Sequence, residues 1–445
     1  MAEKVLVLGL SKSGISAAKY LNKNGYDVYL TEFKKEVNEL EVKELKNLGI
    51  KVEFGGHSDE FIKDSVFAVT SPGIPPKSDI FKKLNSKNIP IISEIELAYR
   101  NTDIPFIVIT GTNGKTTTTA LVSHILSAGF NAPVCGNIGV PPTSLIDDDT
   151  IDFLVCEVSS YQAELTEDFK PFISCWTNFT PDHIDWHGGL ENYFKAKSKM
   201  FLGKQSPSYA VLNAKDEKLV EFAKQCKKST IFNIDDAQYS NACYINPKTN
   251  SIVFKENKQV DEIINLKDIP LVGHHNYQNI MFAVACARIC GLEDEEIKER
   301  IMTFKAPEHR LEKVRELNGI TFYNDSKATN PEASIVAIES FNNTDVALIL
   351  GGRDKNTDLT EMCKSINNHI KTVILIGEAT ERFEENLTKN GFNNIIKESS
   401  LESAIDKAIS LNPNVVLLSP ACASFDMFKS YEHRGEVFKE YVLSK

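Results

Sequence analysis

Lys115 follows a turn bounded by Gly111 and Gly114 and precedes a run of threonines, Thr116 to Thr119. Those residue types in that order suit a phosphate. The glycines let the backbone turn sharply and aim consecutive N–H groups at one point, where a side chain would intrude. A helix opening at Lys115 adds the positive end of its dipole. The Lys115 ammonium can reach terminal phosphates, and the Thr116 hydroxyl can ligate Mg2+. The usual phosphate loop is G-x-x-x-x-G-K-[ST]. Here its first glycine position is Ile109, so the Gly111-Thr112-Asn113-Gly114 turn is a shorter relative. The plainer alternative is a strand-turn-helix corner.

Four other groups of residues could do chemistry. The apolar run from Ile151 ends on Glu157, with Ser159, Ser160 and Gln162 following. A carboxylate at a strand end beside a phosphate loop can hold Mg2+, directly or through water; the alternative is a glutamate near a helix start. Asp182, His183, Asp185 and His187 crowd one loop but lack the H-E-x-x-H spacing of a zinc helix, leaving a metal or phosphate role and a surface loop both open. In the helix around Tyr193 to Phe201, Lys195 and Lys199 share a face while Lys197 points elsewhere, and the pattern alone makes all three solvated. Asn276 and Asn279 share a helix face and could clasp an adenine or a phosphate; capping accounts for one of them. Ser424 has neither an adjacent His nor a G-x-S-x-G elbow, which argues against a hydrolase nucleophile.

The elements that must position these residues read as α/β throughout. Phe106 to Ile109 is a buried strand feeding the phosphate turn. Upstream, Val5 to Leu8, a G-x-x-x-x-G turn from Gly9 to Gly14, a helix and a strand from Asp27 form a Rossmann-like opening. Glu32 ends that second strand, either to meet a ribose hydroxyl or as a solvated strand end. Val66 to Thr70 leads into the rigid Ser71-Pro72-Gly73-Ile74-Pro75-Pro76 loop. In the last third, strands at Ile320, Val346, Val373 and Val415 each run into a loop of small or polar residues. At ~150 residues per domain the chain has room for about three domains. The expected fold is α/β in three domains: a Rossmann-like domain over 1–93, a P-loop-type mononucleotide-binding domain over 94–306, and a second Rossmann-like domain over 307–445.

A net charge of -11 disfavours nonspecific binding to nucleic acid. The nine cysteines include no C-x-x-C pair, which argues against a zinc knuckle and suits a reducing compartment. Cys286 and Cys290, among alanines, read as small core residues. The opening MAEKVLVLGL reads as a strand rather than a signal peptide, and no run approaches the ~20 apolar residues of a membrane span. The expectation is a cytoplasmic protein with no nucleic-acid or membrane partner, acting as a monomer.

Taken together, TGTNGKTTT, Glu157, NFTPDHID, AKSKMF, HNYQN, HR, NDSKATNP and SPACASFDMFKSYEHRG resemble the motifs of the Mur ligases, in the same order along the whole chain. The resemblance implies an ATP-dependent amide ligase of peptidoglycan precursor synthesis, adding D-glutamate to UDP-N-acetylmuramoyl-L-alanine through an acyl phosphate. It implies ATP held by Gly111, Thr112, Asn113, Gly114, Lys115, Thr116 and Thr117, with Asn276, Asn279, Arg310 and Asp325. It implies one Mg2+ on Thr116 and Glu157 and a second on His183 and Lys197, the lysine being carbamylated. Lys115, His183, Lys197 and Lys327 would be catalytic. Leu10, Ser11, Glu32 and Gly73 would hold the UDP-sugar, with Asn137 and His183 at its muramyl-alanine end. Thr329, Lys355, Ser424 and Tyr431 fall on the amino-acid positions. The chain departs from the family pattern around Lys355, at Tyr431 where Phe is usual, and at Thr31-Glu32-Phe33, which matches the uracil site loosely. The alternatives are a sister ligase adding another amino acid and a folylpolyglutamate synthase-like ligase, which would not need the first domain. A nucleotide-dependent switch would leave Glu157, His183, Lys197 and Lys327 without a shared purpose.

Overall fold

A computed structural model of the chain describes residues 2–182, 184–341, 344–354 and 356–445. Its described strands form three sheets, in keeping with the expected α/β class. The first contains β1 (Lys4–Leu8), β2 (Asp27–Glu32), β3 (Lys51–Phe54), β4 (Ala68–Thr70) and β5 (Ile91–Ser93), all parallel in the order 3-2-1-4-5. The order reverses beside β1, where ligands of open α/β sheets bind. The glycine spacing after β1 has a packing cause: a Cβ on Gly14 would lie 2.0 Å from the Gly9 carbonyl oxygen.

The second sheet contains β6 (Phe106–Thr110), β7 (Val134–Gly136), β8 (Leu154–Glu157), β9 (Ile173–Trp176), β10 (Tyr209–Asn213), β11 (Thr230–Ile234), β12 (Asn241–Asn246), β13 (Ser251–Glu256) and β14 (Gln259–Asn265), ordered 14-13-12-11-10-9-6-8-7. Its parallel strands are covered on both faces, which is why they read as continuous apolar runs: every residue of β6 is buried. β12 to β14 are antiparallel, joined through turns with Asn250 and Asn257 at positive φ. The sequence pattern marks no strands there, because these segments mix polar and apolar residues.

The third sheet contains β15 (Glu312–Leu317), β16 (Ile320–Asn324), β17 (Val346–Gly351), β18 (Thr372–Ile376), β19 (Ile395–Lys397) and β20 (Val415–Leu418), ordered 15-16-20-17-18-19 with β15 antiparallel. The chain divides into two compact units, Met1–Asp268 with Gln278–Met302, and Ile269–Tyr277 with Thr303–Lys445. The first two sheets lie in the first unit and the third in the second. Cys286 is buried with its sulfur 3.3 Å from that of Cys175, as expected of a small core residue, while Cys290 is half-buried. Among the described residues, no helix is long and apolar enough to cross a membrane.

Inside the first unit, Glu94 opens helix Glu94–Tyr99 fully buried. It accepts the Thr143 N–H at 2.8 Å and the Thr143 hydroxyl at 2.6 Å, but burial outweighs both and pushes its carboxyl up to about 7. An acid whose folded pKa is raised contributes stability that is full below its unfolded pKa and lost as pH rises through the folded value. The window therefore runs from about 4.5 to about 7. Glu94→Gln keeps an acceptor for Thr143 and abolishes the ionisation. The variant is expected to lose less stability than the wild type between pH 5 and pH 8, by up to about 3 kcal/mol. Urea midpoints at both pH values check this, and equal pH slopes would contradict it.

Candidate active site

β6 lies between β9 and β8. The register places Ile109 opposite Glu157 and Thr110 opposite Trp176. The phosphate turn is thus flanked by the carboxylate at the end of β8 on one side and by Thr177 and Asn178 beyond β9 on the other. Gly111 sits at φ +146, where a Cβ would lie 2.0 Å from the Thr177 hydroxyl; Gly114 sits at φ +81, where a Cβ would lie 2.6 Å from Asn279 Oδ1. Both glycines are required by close approach as well as by backbone conformation.

The turn is braced from outside. Asn178 Oδ1 accepts the Asn113 N–H at 2.8 Å, its amide donates back to the Asn113 carbonyl at 3.1 Å, and the Thr177 hydroxyl donates to the same carbonyl at 2.7 Å. The Thr112 hydroxyl donates to the Thr180 carbonyl at 3.0 Å. The sequence shows Asn178 and Thr180 only as part of a motif and gives Thr177 no role; their bracing role depends on β9 lying next to β6. The first helical bond runs from the Thr118 N–H to the Gly114 carbonyl at 2.9 Å. The N–H groups of Lys115, Thr116 and Thr117 therefore have no carbonyl within the helix to bond. Lys115 Nζ lies over its own loop, donating to the carbonyls of Gly111 at 3.1 Å and Thr112 at 2.8 Å.

Glu157 is 2% exposed. Its Oε1 accepts the Asn137 amide at 2.8 Å, and its Oε2 finds no partner among the described residues. The Asn137 N–H also bonds the Glu157 carbonyl at 2.9 Å, and Gly136 is confined there because a Cβ would lie 2.3 Å from that carbonyl oxygen. A buried carboxylate oxygen left without a donor beside a phosphate turn, with the Thr116 hydroxyl opening the adjacent helix, fits a hard, oxygen-seeking cation such as Mg2+.

Lys197 corrects the expectation of a solvated side chain: it is 1% exposed. Its Nζ donates to the Gly111 carbonyl at 2.7 Å and stands 4.9 Å from the Tyr193 ring centroid. Burial, and then the positive charge of Lys115, hold its ammonium well below the usual lysine range. A protonated amine cannot ligate a metal and a neutral one is a poor match for a hard, oxygen-seeking cation, so the residue fits a second Mg2+ once the amine carries an anionic oxygen group. Of its neighbours, Lys195 is exposed and Lys199 donates to the carbonyls of Glu164 and Thr166. His183 lies outside the described residues. His187 is buried, its Nε2 2.9 Å from the Ser160 hydroxyl and its ring stacked on Tyr161.

At the switch point of the first sheet, Glu32 is not merely a solvated strand end. It accepts the N–H groups of Leu10 at 2.8 Å and Lys34 at 2.9 Å, latching two loops together. The Ser11 hydroxyl donates to that of Ser71 at 2.8 Å, closing the first glycine turn onto the loop that carries Gly73. A Cβ on Gly73 would meet nothing within 4 Å, so packing does not demand glycine there.

In the second unit, Asp325 is buried between the Leu311 N–H at 3.2 Å and the Ser419 hydroxyl at 2.7 Å. Burial pushes its carboxyl up to about 7 against those bonds and the nearby charge of Arg310. The Arg310 Nε is buried without a partner among the described residues. Lys327 Nζ stands 5.7 Å from the Tyr431 ring centroid, and Thr329 is half-buried on the same loop. The Ser424 hydroxyl is buried without a partner among the described residues. Lys355 lies outside the described residues; next to it, Asp354 forms a two-pronged bond to Arg382 at 2.5 and 2.7 Å. Asn276 donates to the Val272 carbonyl at 2.6 Å within this unit, whereas Asn279 accepts the Thr118 hydroxyl at 3.1 Å in the first.

Three family models match the chain: "Mur ligase MurD-like, N-terminal domain" over residues 3–93, "Mur ligase middle domain" over 109–287, and "Mur ligase, glutamate ligase domain" over 309–422. The chain is 39% identical over 448 residues to the UDP-N-acetylmuramoylalanine--D-glutamate ligase of Thermoanaerobacter pseudethanolicus, covering 99% of this chain and 98% of that protein. It is 40% identical over 447 residues to the protein of the same name from Koribacter versatilis, covering 99% and 97%. The crystal structure of MurF from Acinetobacter baumannii superposes with a TM-score of 0.63 at 15% identity, covering 99% of this chain and 93% of that one, a likeness of fold.

Proposed function

Because the chain belongs to the Mur ligase family, we propose that it joins D-glutamate to UDP-N-acetylmuramoyl-L-alanine at the expense of ATP, in peptidoglycan precursor synthesis. The observation that carries the reading is the buried Glu157 carboxylate, one oxygen unpartnered among the described residues, at the strand end next to the phosphate turn. A sister ligase or a folylpolyglutamate synthase-like ligase is not favoured, since the full-length relatives carry the D-glutamate name and the first sheet has a matching family model.

A free carboxylate cannot form an amide at neutral pH, because its oxygen is a poor leaving group. In this reading the alanine carboxylate attacks the terminal phosphorus of ATP, giving an acyl phosphate and ADP. The D-glutamate amine then attacks the acyl carbon, phosphate leaves with its bonding pair, and the amine gives up a proton. No protein nucleophile is needed. The N–H groups of Gly111 to Thr117 and the Lys115 ammonium bind and orient the phosphates. Thr116 and Glu157 would hold Mg2+, which supplies charge neutralisation at those phosphates. Asn137 orients Glu157 and, with His183, receives the muramyl-alanine end. Leu10, Ser11, Glu32 and Gly73 hold the UDP-sugar. Asn276, Asn279, Arg310, Asp325 and Lys327 serve the nucleotide, and Thr329, Lys355, Ser424 and Tyr431 the amino acid. These roles divide the chain into three working domains, 1–93, 94–306 and 307–445. The protein acts as a cytoplasmic monomer.

Lys197 belongs to this reading as a carbamate. A buried amine whose pKa is lowered is neutral often enough to add to CO2, releasing a proton and leaving one N–H. That N–H could stay on the Gly111 carbonyl while the new carboxylate, with His183, would hold a second Mg2+. Intact mass measured under CO2 should exceed the mass after acid treatment by one CO2, and Lys197→Arg should show no such difference. Identical wild-type masses would contradict the carbamate. The function itself is tested with a panel of amino acids, ATP and UDP-N-acetylmuramoyl-L-alanine. The expected product forms with D-glutamate; product formation with another amino acid instead would overturn the assignment.

A further inference from the structure

Helix Tyr431–Ser444 carries Arg434 in its first turn, directed into the third sheet's loop edge and 1% exposed. Its hydrogen-bond partners among the described residues are all neutral. Nε donates to the Ser326 hydroxyl at 2.9 Å, and Nη2 to the Ser326 carbonyl at 2.8 Å and the Cys422 carbonyl at 3.1 Å. Nη1 reaches the Ala423 carbonyl at 3.4 Å. The Ser326 hydroxyl in turn donates to the Tyr431 carbonyl at 2.8 Å, closing a ring of bonds around the guanidinium. Burial depresses the pKa of Arg434 to about 10, against the nearby side chains of Cys422, Asp426 and Asp325, which favour its charge without bonding it.

A buried cation with neutral partners costs free energy, so its placement calls for a return other than stability. Its partners identify that return. Ser326 lies between Asp325 and Lys327 on one loop, and Cys422 and Ala423 immediately precede Ser424 on another. Those loops follow neighbouring strands, β16 and β20, with Asn324 opposite Leu418. Strand pairing fixes where the loops begin, and the Ser419 hydroxyl joins Asp325 at their base; Arg434 bonds the two loops farther out, at Ser326 on one and at Cys422 and Ala423 on the other. Gly352 leaves room for it, since a Cβ there would lie 3.1 Å from Nη1.

We infer that Arg434 is a positioning residue, bolting the Ser326 loop to the Cys422–Ala423 loop so that Lys327, Thr329 and Ser424 face one ligand together. The inference rests on the ligase reading for the identity of that ligand. A planar five-donor fork is required, because a lysine ammonium cannot bond two carbonyls of one loop and a carbonyl and hydroxyl of the other at once.

The test is Arg434→Lys in the full chain, with the Michaelis constant of each substrate measured separately. The expected result is a rise of about 10-fold in KM for D-glutamate, the scale of losing a hydrogen bond from a charged donor. KM for ATP should rise in the same direction, and KM for UDP-N-acetylmuramoyl-L-alanine should stay within about twofold, a change worth less than ~0.5 kcal/mol. A merely structural role would lower the folded fraction, and hence kcat, with every KM unchanged. If the lysine variant does not fold, Ser326→Ala, which removes one acceptor from the ring, is read by the same criterion with a smaller rise. Unchanged KM values, or an equal rise for all three substrates, would overturn the inference. Wild-type protein that makes no product with D-glutamate would instead overturn the ligase reading.

Discussion

Lys115→Ala is expected to lower kcat/KM by on the order of 100- to 1,000-fold, about 3 kcal/mol or more, by analogy with losing one preorganised oxyanion donor. The ammonium is the cation of the phosphate turn and donates to the carbonyls of Gly111 and Thr112. Those bonds are local and half-exposed, so the variant should fold with a urea midpoint near that of the wild type. The loss therefore reports on catalysis. A second consequence follows from its neighbour. The charge of Lys115 helps to keep Lys197 from protonating, so removing it makes the buried amine more basic and less ready to add CO2. The variant should show a smaller carbamate fraction by intact mass. Near-wild-type turnover would contradict the assignment of Lys115.

Glu157→Gln should separate stability from activity. The glutamine oxygen can keep the bond from Asn137, so the turn after β7 stays in place. The buried oxygen without a partner is replaced by an uncharged amide, which removes the cost of burying an ion. Thermal stability without ligands should hold or rise. Turnover should fall by about 100-fold or more, the scale of removing one electrostatic stabiliser, and the Mg2+ concentration for half-maximal rate should increase. Loss of stability together with loss of activity would mean that Glu157 is part of the scaffold.

The phosphate turn was legible because each of its residues answers a local demand. Gly111 and Gly114 must adopt positive φ, Lys115 must follow, and an apolar strand must deliver them. Strands β1, β6, β8, β17 and β20 were legible for a similar reason, since burial on both faces leaves a continuous apolar run. Lys197 was not legible. Its helical position marks it as polar, and only the packing of its helix against the phosphate turn buries it. The Asn137–Glu157 contact was hidden as well, because it depends on Gly136 pairing with Glu157 across β7 and β8. Arg434 stood inside a quoted motif without a role; its partners are more than 10 residues away in sequence and meet only when β16 and β20 pair. β12 to β14 were not legible because their polar-apolar mixtures keep neither a continuous apolar run nor a strict alternation.

ADP release by the purified chain, with ATP and Mg2+ and with the acceptor and the amino acid added singly and together, tests the central claim most directly. Sustained ADP release that requires both UDP-N-acetylmuramoyl-L-alanine and D-glutamate is the predicted result. Sustained release that is indifferent to either one would contradict it.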